Sequence, residues 1–374
     1  MKKKIAIIGA NLPSLSFYTQ TKALGYEIHA FAWEEGAVCK EYADYFYPIS
    51  ITEKEKICSI CKKVEIDGII SFSLESALPT VNYVARELKL PGNSAEAEML
   101  MLDKFSMRER LKECGIPVPQ YFLITQGEEL DSLQINYPVI VKPVDSGGSR
   151  GVTKVDNPAE IISAFERAVS FSKSKKVLIE QYIEGREFSV EYLSNHGKHY
   201  FLAVTDKVTS GHPNFVELEH HQPANVSGSV YDEIKKLTEK TLDALKIFSS
   251  ASHTELKLDT KGDLYVIEIG ARMGGDMITS DLVKLSTGYD MVKGALEIAT
   301  DDFTVPVLQE KLYSGVYFIS KERAFLLKYC ENPLQYSEII RADYSGNPLK
   351  NVYESNDREG YFIYQSSKKM TYEK

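Results

Sequence analysis

The stretch HTELKLDTKGDLYVIEIGAR, residues 253–272, decides the fold of this chain. Two runs of alternating apolar and polar residues flank a Lys-Gly turn, and this pattern predicts a β-hairpin. With the turn centred on that Lys-Gly pair, Glu255 lies directly opposite Glu268 on one face. Like charges opposite each other destabilise a sheet, so the pair indicates a bound cation such as Mg²⁺, which one or two carboxylates usually hold together with substrate phosphates. In the alternative interpretation, Lys257 on the same face pairs with one of the glutamates.

The size and charge of the chain exclude several classes of protein. Its 374 residues suffice for two or three domains with their own cores. A net charge of −9 argues against a nucleic-acid-binding surface, which usually shows as a basic patch. No apolar run approaches the roughly 20 residues that span a bilayer, so we expect no membrane segment. Five cysteines form no secreted framework, and we expect a cytoplasmic protein in which Cys58 and Cys61 are ordinary thiols.

The first ninety residues predict a parallel, Rossmann-like α/β unit. Predicted strands at 5–10, 27–32 and 68–72 alternate with predicted helices at 13–24, 53–65 and 76–88. The first strand lacks the G-x-G-x-x-G that dinucleotide-binding folds carry there. Glu75 follows the third strand, at the carboxyl edge where open sheets bind ligands. The alternative for Glu75 is a carboxylate favoured by the dipole of a helix N-terminus.

The remaining chain predicts a second and a third part. A helix is expected at 95–113, after a break at Pro91-Gly92. The strands and helices predicted beyond it are strands 121–124, 138–142, 152–155, 177–183, 186–193 and 199–206, and helices 158–173, 230–245, 276–286 and 290–299. We therefore expect an N-terminal domain at 1–92, a two-lobed domain at 93–305 with a lid at about 116–183, and a small α+β segment at 306–374 that completes the core.

The segment VIVKPVDSGGSRGV, residues 139–152, predicts a phosphate-binding loop. A strand delivers Lys142, and a loop with three glycines follows it. Glycines let backbone N–H groups turn inward into an anion-binding nest, and the lysine adds a positive charge. No G-K-[ST] is present, which excludes a P-loop. The alternative is an exposed hairpin loop without a ligand.

The segment VLIEQYIEGRE, residues 177–187, predicts the base and sugar side of a nucleotide site. Apolar residues give way to Glu-Gln-Tyr-Ile at the end of a strand, where backbone N–H and C=O groups can bind an adenine edge. Glu187 could accept hydrogen bonds from ribose hydroxyls. In the alternative, these acidic residues are simply solvated.

The order of these motifs resembles that of the ATP-grasp superfamily over roughly residues 1–305. The resemblance rests on Asp103-Lys104, the glycine loop after Lys142, Glu180 to Glu187, and the run IEIGARMGGD at 267–276. Within that superfamily the chain looks most like carboxylate–amine ligases, which include bacterial L-amino acid (dipeptide) ligases, and like carbamoyl-phosphate-synthase-like proteins.

The resemblance implies a site residue by residue. The residues it implies for ATP are Lys104, Lys142, Ser146, Gly147, Gly148, Ser149, Gly151, Glu180, Tyr182, Ile183 and Glu187. It implies Glu255 and Glu268 as ligands of Mg²⁺ (or Mn²⁺), and Arg272 as the catalytic residue that stabilises the acyl phosphate. Substrate contacts are expected from Glu75, His212, His220, Gly274 and Gly275.

Two features depart from a simple transfer of that site. The family usually has a metal-binding asparagine two residues after the second glutamate, and this chain has Gly270 there. Either fewer protein oxygens hold one Mg²⁺, or Asp276 or water substitutes. The neighbouring His220 and His221 invite a metal interpretation, but Mg²⁺ prefers oxygen, so these histidines line the substrate pocket or lie on a solvated loop.

The implied function is an ADP-forming ligase that activates a carboxylate as an acyl phosphate and joins it to an amine, with amino acids as the expected substrates. The alternatives are an enzyme that uses bicarbonate and forms carboxyphosphate or carbamoyl phosphate, and a nucleotide-binding protein without chemistry. The expected partners are ATP and small-molecule substrates, with neither nucleic acid nor membrane, and a homodimer stays open.

Overall fold

Continuous aliphatic runs build the first of three sheets. The computed structural model describes residues 2–125, 130, 133–309 and 312–372. The central strand β1 (Lys4–Ile8) is buried from Ile5 onward, as expected for a parallel strand covered on both faces. The strand order is β3-β2-β1-β4 and every pair is parallel. The other elements are β2 (Glu27–Ala32), β3 (Tyr45–Pro48), β4 (Gly68–Ile70), α1 (Leu15–Ala23), α2 (Lys54–Val64) and α3 (Leu78–Leu88).

This parallel unit confirms the predicted α/β arrangement with one omission. Strand β3 was not predicted, because its four residues YFYP are few and end in a proline. The predicted helix at 13–24 begins instead with a 3₁₀ turn at Leu12–Ser14.

The helix predicted at 95–113 is two helices, α4 (Ala95–Leu102) and α5 (Lys104–Glu113), so that prediction was wrong. Asp103 has an extended backbone, and its carboxylate accepts a hydrogen bond from the Ser106 N–H at 2.7 Å. Aspartate favours such N-cap positions because it satisfies a free backbone donor. The break makes Lys104 the first residue of α5, where its side chain turns toward the site.

A four-stranded antiparallel sheet of order β5-β8-β6-β7 forms the lid. Its elements are β5 (Tyr121–Thr125), β6 (Val139–Pro143), β7 (Thr153–Val155), β8 (Lys176–Gln181) and α6 (Ile161–Phe171). All four strands and the helix were predicted. Residues 126–129 and 131–132 of the predicted lid lie outside the described residues, as do residue 1 of the first domain and residues 310–311 and 373–374 of the C-terminal segment.

An eight-stranded antiparallel sheet of order β13-β12-β9-β10-β11-β14-β16-β15 forms the rest. Its strands are β9 (Gly185–Asn195), β10 (Lys198–Thr209), β11 (Glu217–Gln222), β12 (Ser250–Asp259), β13 (Leu264–Gly270), β14 (Tyr313–Ile319), β15 (Ile339–Tyr344) and β16 (Gly360–Ser366). The helices around it are α7 (Gly228–Ala244), α8 (Val283–Thr287), α9 (Met291–Ala299) and α10 (Leu327–Glu331).

The large sheet joins the predicted second and third parts of the chain. Strand β14 of the C-terminal segment pairs with β11, so the last three strands extend the sheet that carries the hairpin. The sequence did not predict β11, since ELEHHQ has little apolar character. The helix predicted at 276–286 begins as a π-type turn at Ile278–Leu282 and continues as α8. The domain boundaries themselves stay a prediction.

The fold is α/β, as predicted. Among the helices of the described residues, none combines the length and the apolar composition that crossing a lipid bilayer requires.

Candidate active site

The predicted hairpin is confirmed, and Glu255 pairs directly with Glu268. The register reaches this pairing in two steps. Near the turn Leu258 pairs with Leu264, so the turn is centred on Lys261 and not between Lys261 and Gly262 as predicted. A bulge between Glu255 and Leu256 then shifts the register by one residue and gives the predicted pairing. Bulges of this kind are common next to active sites, where they re-aim a side chain.

The cations that neutralise the two glutamates come from outside the hairpin. Lys207 on β10 lies 2.6 Å from Glu255 Oε1, and Lys104 at the start of α5 lies 3.1 Å from Glu268 Oε1. The alternative interpretation was therefore wrong. Lys257 Nζ instead lies 3.4 Å from the Ile183 carbonyl oxygen and 3.7 Å from a Glu187 oxygen.

These lysines keep both carboxylates ionised. Burial raises the pKa of Glu255, but Lys207 and His253 outweigh it and hold that pKa well below its usual range. Burial and the neighbouring Glu255 raise the pKa of Glu268, but Lys104 and Lys142 together outweigh them, so that pKa is also lowered. Two ionised carboxylates on one face form a strongly attractive position for a cation.

Lys207 is the centre of the charge cluster. Besides Glu255, its ammonium lies 3.1 Å from Glu187 Oε1 and 3.7 Å from Glu217 Oε1. Its side chain is 3% exposed. Burial lowers the pKa of Lys207, but Glu255, Glu187 and Glu217 raise it well above its ordinary value. One ammonium therefore contacts three carboxylates, and two of these have a second cation nearby: Lys257 lies 3.7 Å from Glu187 Oε2, and His253 lies 3.6 Å from Glu255 Oε1.

A second buried cluster connects the lid to the hairpin. Lys142 Nζ lies 2.5 Å from Glu180 Oε2, and Arg108 Nε lies 2.6 Å from Glu180 Oε1. Arg108 also donates to the Ile267 carbonyl at 2.5 Å. Burial raises the pKa of Glu180, and Arg108 and Lys142 lower it further than burial raises it. Because the Glu180 carboxylate is committed to these cations, an adenine contact here would use backbone groups.

The segment between the lid and the large sheet carries the other predicted adenine contacts. Ile183 is buried, and its carbonyl accepts from Lys257. The Tyr182 ring lies between two ammonium groups, with Lys154 at 4.9 Å and Lys257 at 5.0 Å from its centroid. This segment joins β8 to β9, so it is a direct connection between the two sheets.

The glycine loop reaches the site from the lid. Lys104 Nζ donates to the Ser146 carbonyl at 3.0 Å, which connects the loop to the Glu268 cluster. Gly148, Ser149 and Gly151 have φ values of 65°, 55° and 75°. Such left-handed residues turn successive backbone N–H groups toward one side, as an anion-binding nest requires.

Glu75 lies against this loop, at the carboxyl edge of the first sheet. A Cβ added to Gly147 would collide with the Glu75 carboxylate, so a side chain at position 147 would push Glu75 away from the loop. Burial and the neighbouring Glu268 raise the pKa of Glu75, while Lys104 and Arg272 lower it less. The structure thus brings Glu75 to the site, as predicted.

Arg272 extends into the same space from the end of β13. Its Nη1 donates to the Met273 carbonyl at 3.0 Å, while its buried Nε has no hydrogen-bond partner within the described chain. A Cβ at Gly270 would lie 3.1 Å from Arg272 Cγ and 3.3 Å from Arg272 Nε. The arginine stem therefore covers the position of the missing asparagine side chain, which gives a packing reason for Gly270.

The two glycines after Arg272 have different surroundings. A Cβ at Gly274 would lie 2.7 Å from His253 Nδ1, which itself lies 2.7 Å from Glu191 Oε1. Gly274 thus packs on a buried histidine–glutamate pair. Gly275 faces the cavity and lies beside Ser73 of the first domain.

The histidines predicted for the substrate separate into two locations. His220 is 1% exposed and lines the cavity, with Nε2 3.8 Å from Asp276 Oδ2. His212 is half exposed and faces Asp156 of the lid at 4.0 Å, while its neighbour Pro213 lines the cavity. His221 is buried away from the cavity between Glu219 and Tyr364, at 2.7 and 3.0 Å.

All of these elements surround one cavity of about 700 Å³. Its walls come from the first sheet, the glycine loop, the face of the large sheet, and the connection between β15 and β16. The predicted site residues that line it are Glu75, Gly148, Ser149, Gly151, His220, Glu255, Glu268, Arg272 and Gly275. The predicted residues beyond its lining are Lys104, Lys142, Ser146, Gly147, Glu180, Tyr182, Ile183, Glu187, His212 and Gly274.

The donor set fits a hard divalent cation only when substrate atoms contribute. Glu255 and Glu268 offer opposed, ionised oxygens, and each already holds a cationic ammonium. Across the described ranges, no group of three or more His, Cys, Asp or Glu residues is arranged to hold a metal ion. Mg²⁺ commonly completes such a two-carboxylate set with phosphate oxygens and water.

Comparison with known proteins now identifies the central part of the chain. A family model described as an ATP-grasp domain matches residues 135–281. The chain contains an ATP-grasp domain. The crystal structure of L-amino acid ligase from Bacillus licheniformis superposes with a TM-score of 0.82 at 25% identity, covering 98% of this chain and 94% of that one.

Two curated relatives are similar to part of this chain. The L-arginine-specific L-amino acid ligase of Bacillus subtilis is 24% identical over 254 residues, which are 65% of this chain and 61% of that protein. The carbamoyl phosphate synthase large chain of Caldanaerobacter subterraneus is 26% identical over 261 residues, 68% of this chain and 24% of that protein. The matches thus span less than two thirds of these relatives.

Sequence reasoning missed the two residues that connect the clusters. Lys207 follows an aspartate inside a strand, and Arg108 lies in a helix rich in charge, so neither has a local signal of burial. The carboxylates gave an indirect signal, because buried acidic groups require a cationic partner. Glu217 was also missed, together with the strand β11 that carries it.

Proposed function

We propose that this protein is an ADP-forming ligase that activates a carboxylate as an acyl phosphate and joins it to an amine. Amino acids would serve as both substrates. The observation that carries the proposal is the single cavity in which Glu255, Glu268, Lys207 and Arg272 meet beneath the glycine loop. Opposed carboxylates, cations and an anion-binding loop are the parts that phosphoryl transfer from ATP needs. The similarity to an L-amino acid ligase supports the substrate class.

ATP would lie between the lid and the large sheet. In this proposal the backbone of residues 180–183 binds adenine and Glu187 accepts from the ribose hydroxyls. The phosphates lie against Lys142, Lys104 and the glycine loop. Closing the lid over them excludes water, which would otherwise hydrolyse an activated acyl group.

Glu255 and Glu268 would hold Mg²⁺ or Mn²⁺. The bound ion would neutralise part of the negative charge of the phosphates. Gly270 adds no third side-chain oxygen, so phosphate and water oxygens would have to supply the remaining ligands. Lys207 and Lys104 neutralise those glutamates and would also lie close to the phosphates of a bound nucleotide.

The proposed reaction has two steps. A carboxylate oxygen of the first substrate attacks the γ-phosphorus of ATP, and the bond from that phosphorus to the bridging oxygen of ADP breaks. The amine nitrogen of the second substrate then attacks the acyl carbon. The bond from that carbon to the phosphate oxygen breaks, phosphate leaves with the electron pair, and the nitrogen loses a proton. Arg272 stabilises the negative charge that develops on the transferred group and holds the reacting carboxylate in position.

A phosphate-release screen tests this proposal. The protein is incubated with ATP and Mg²⁺, and with amino acids singly and in pairs, with and without added bicarbonate. The ligase predicts ADP and phosphate in equal amounts only when suitable amino acids are present. Turnover that requires bicarbonate would favour the carboxyphosphate or carbamoyl-phosphate alternative. Tight ATP binding without ADP formation in any mixture would favour a nucleotide-binding protein.

The surroundings of the cysteines bear on where such an enzyme would work. All five cysteines are free thiols. Burial raises the pKa of Cys61 to about 12 and of Cys39 to about 11, so both stay protonated and unreactive. Free, inert thiols are typical of proteins in the reducing cytoplasm, and we propose that location.

A further inference from the structure

The connection between β15 and β16 forms one wall of the cavity, far from the predicted nucleotide contacts along the chain. Tyr353, Glu354 and Ser355 of this connection line the cavity. We call residues 352–358 the wall loop. It belongs to the C-terminal segment, for which the motifs of the sequence give no role.

The wall loop is fixed in place by contacts to the rest of the site. The Arg358 guanidinium makes two bonds to the Asp276 carboxylate, at 2.8 and 2.9 Å, and lies 3.9 Å from the centroid of the Phe318 ring. Two-pronged pairs of this kind add geometric precision as well as energy. The Asn214 amide donates to the Val352 carbonyl at 3.3 Å. The loop is thus braced at both ends.

Within the described residues, a buried histidine beside this wall has an ion-pair neighbour but no hydrogen-bond partner. Within the described chain, neither ring nitrogen of His220 has a hydrogen-bond partner, although the side chain is 1% exposed. It lines the cavity, and Asp276 lies beyond hydrogen-bond distance at 3.8 Å. Buried polar groups in proteins are nearly always hydrogen-bonded, so an unpaired ring at a cavity wall indicates a polar ligand there.

The charge of this end of the cavity is negative. Among the described residues, no lysine, arginine or histidine forms an ion pair with Glu354. Glu217 shares the ammonium of Lys207 with two other carboxylates. Arg358 is committed to Asp276 and therefore does not offset Glu354 or Glu217.

We propose that the wall loop forms the subsite for the side chain of one amino-acid substrate, and that Glu354 there selects a basic side chain. This inference rests on the proposed ligase function. The ammonium or guanidinium of the substrate lies against Glu354 at the exposed rim of the cavity, which Tyr353 and Ser355 complete. An acidic side chain is rejected, because it meets carboxylates at this end.

The first test uses the unmodified protein and two matched probes. Phosphate release is measured with ATP, Mg²⁺, a fixed partner amino acid and either lysine or norleucine, which has the same length without the ammonium. The inference predicts kcat/KM about 2- to 5-fold higher with lysine, since a partly exposed charge contact is worth less than one tenfold step. Equal use of the two probes would overturn it.

The second test removes the charge of the wall loop. Glu354→Gln keeps a side-chain acceptor for the Asp357 backbone in the turn that follows, so the loop keeps its hydrogen bonds. We expect the preference for lysine over norleucine to disappear, while the KM for ATP stays within about twofold. Glu354→Lys should reverse the preference toward glutamate. The control Glu331→Gln, an exposed residue outside the cavity, should leave the profile unchanged.

The outcomes separate this inference from the function on which it rests. An active enzyme whose preference survives Glu354→Gln overturns the role of the wall loop and leaves the ligase proposal standing. A wild-type protein that releases no phosphate with any pair of amino acids overturns both.

Discussion

Arg108→Met should destabilise the protein more than any change at a surface ion pair. Arg108 is fully buried and connects three elements: it lies in α5, bonds Glu180 on β8 at 2.6 Å and donates to the Ile267 carbonyl on β13 at 2.5 Å. It thereby joins the lid to a strand of the hairpin that carries Glu255 and Glu268. Methionine has a similar length but no charge and no donor.

The expected loss follows from what the substitution leaves behind. Breaking a buried ion pair by removing one partner costs about 3–5 kcal/mol. Leaving the Ile267 carbonyl unpaired adds about 1–3 kcal/mol. Lys142 still neutralises part of the Glu180 charge at 2.5 Å, so we expect a total near the lower value, about 3–4 kcal/mol. That is a large part of a typical stability of about 5–15 kcal/mol.

The effect has a defined pH dependence. Arg108 lowers the pKa of Glu180 against the opposing effect of burial. A carboxyl with a lowered pKa stabilises the fold above its unfolded-state pKa of about 4.3, and this contribution disappears as the pH falls through the folded-state value. The difference between wild type and Arg108→Met should therefore be largest at neutral pH and shrink in acid.

Urea unfolding followed by circular dichroism measures the free energies. Arg86→Met is the matched control, because Arg86 pairs with Glu98 at 3.0 Å but its side chain is 36% exposed; we expect about 0–1 kcal/mol there. Losses of the same size in Arg108→Met and Arg86→Met would refute the reasoning.

Three further variants test the site. Glu268→Gln removes one charge of the opposed pair and should lower phosphate release on the order of 100-fold while thermal unfolding shows an intact fold; full activity would exclude the metal assignment. Lys207→Met leaves three carboxylates without their common ammonium, so we expect a lower melting temperature that Mg²⁺ raises more than in wild type; equal Mg²⁺ effects would contradict this. Gly270→Asn should slow phosphate release, because the new Cβ would lie 3.1 Å from Arg272 Cγ and displace that arginine. A faster enzyme that binds an additional Mn²⁺, detected by electron paramagnetic resonance, would refute this.

Features with a local cause were predictable from the sequence. The strand β1 follows from a continuous aliphatic run, and the hairpin follows from alternation around a Lys-Gly turn. The pairing of Glu255 with Glu268 was correct even though a bulge lies between the turn and that pair. The bulge itself has no signature in the sequence, since it depends on how the hairpin packs.

Features set by tertiary contacts were not predictable. At Asp103 the sequence is compatible both with a continuous helix and with a new helix capped by the aspartate. The residues on either side favour helix, so the sequence alone did not reveal the break. The ion pairs of Lys207 and Arg108 could not be predicted, because they depend on how β10, α5 and the hairpin pack together. The wall loop is separated from the hairpin by about eighty residues of sequence, and only the pairing of β11 with β14 brings its segment to the site.

The central claim is that a substrate carboxylate attacks the γ-phosphorus of ATP, and oxygen transfer tests it directly. The protein is given ATP, Mg²⁺ and an active pair of amino acids whose carboxylates carry ¹⁸O, and the released phosphate is analysed by mass spectrometry. Because the acyl phosphate leaves its bridging oxygen on phosphorus, the account predicts one ¹⁸O in each phosphate and ADP as the nucleotide product. Phosphate without label, or AMP and pyrophosphate as products, would contradict it.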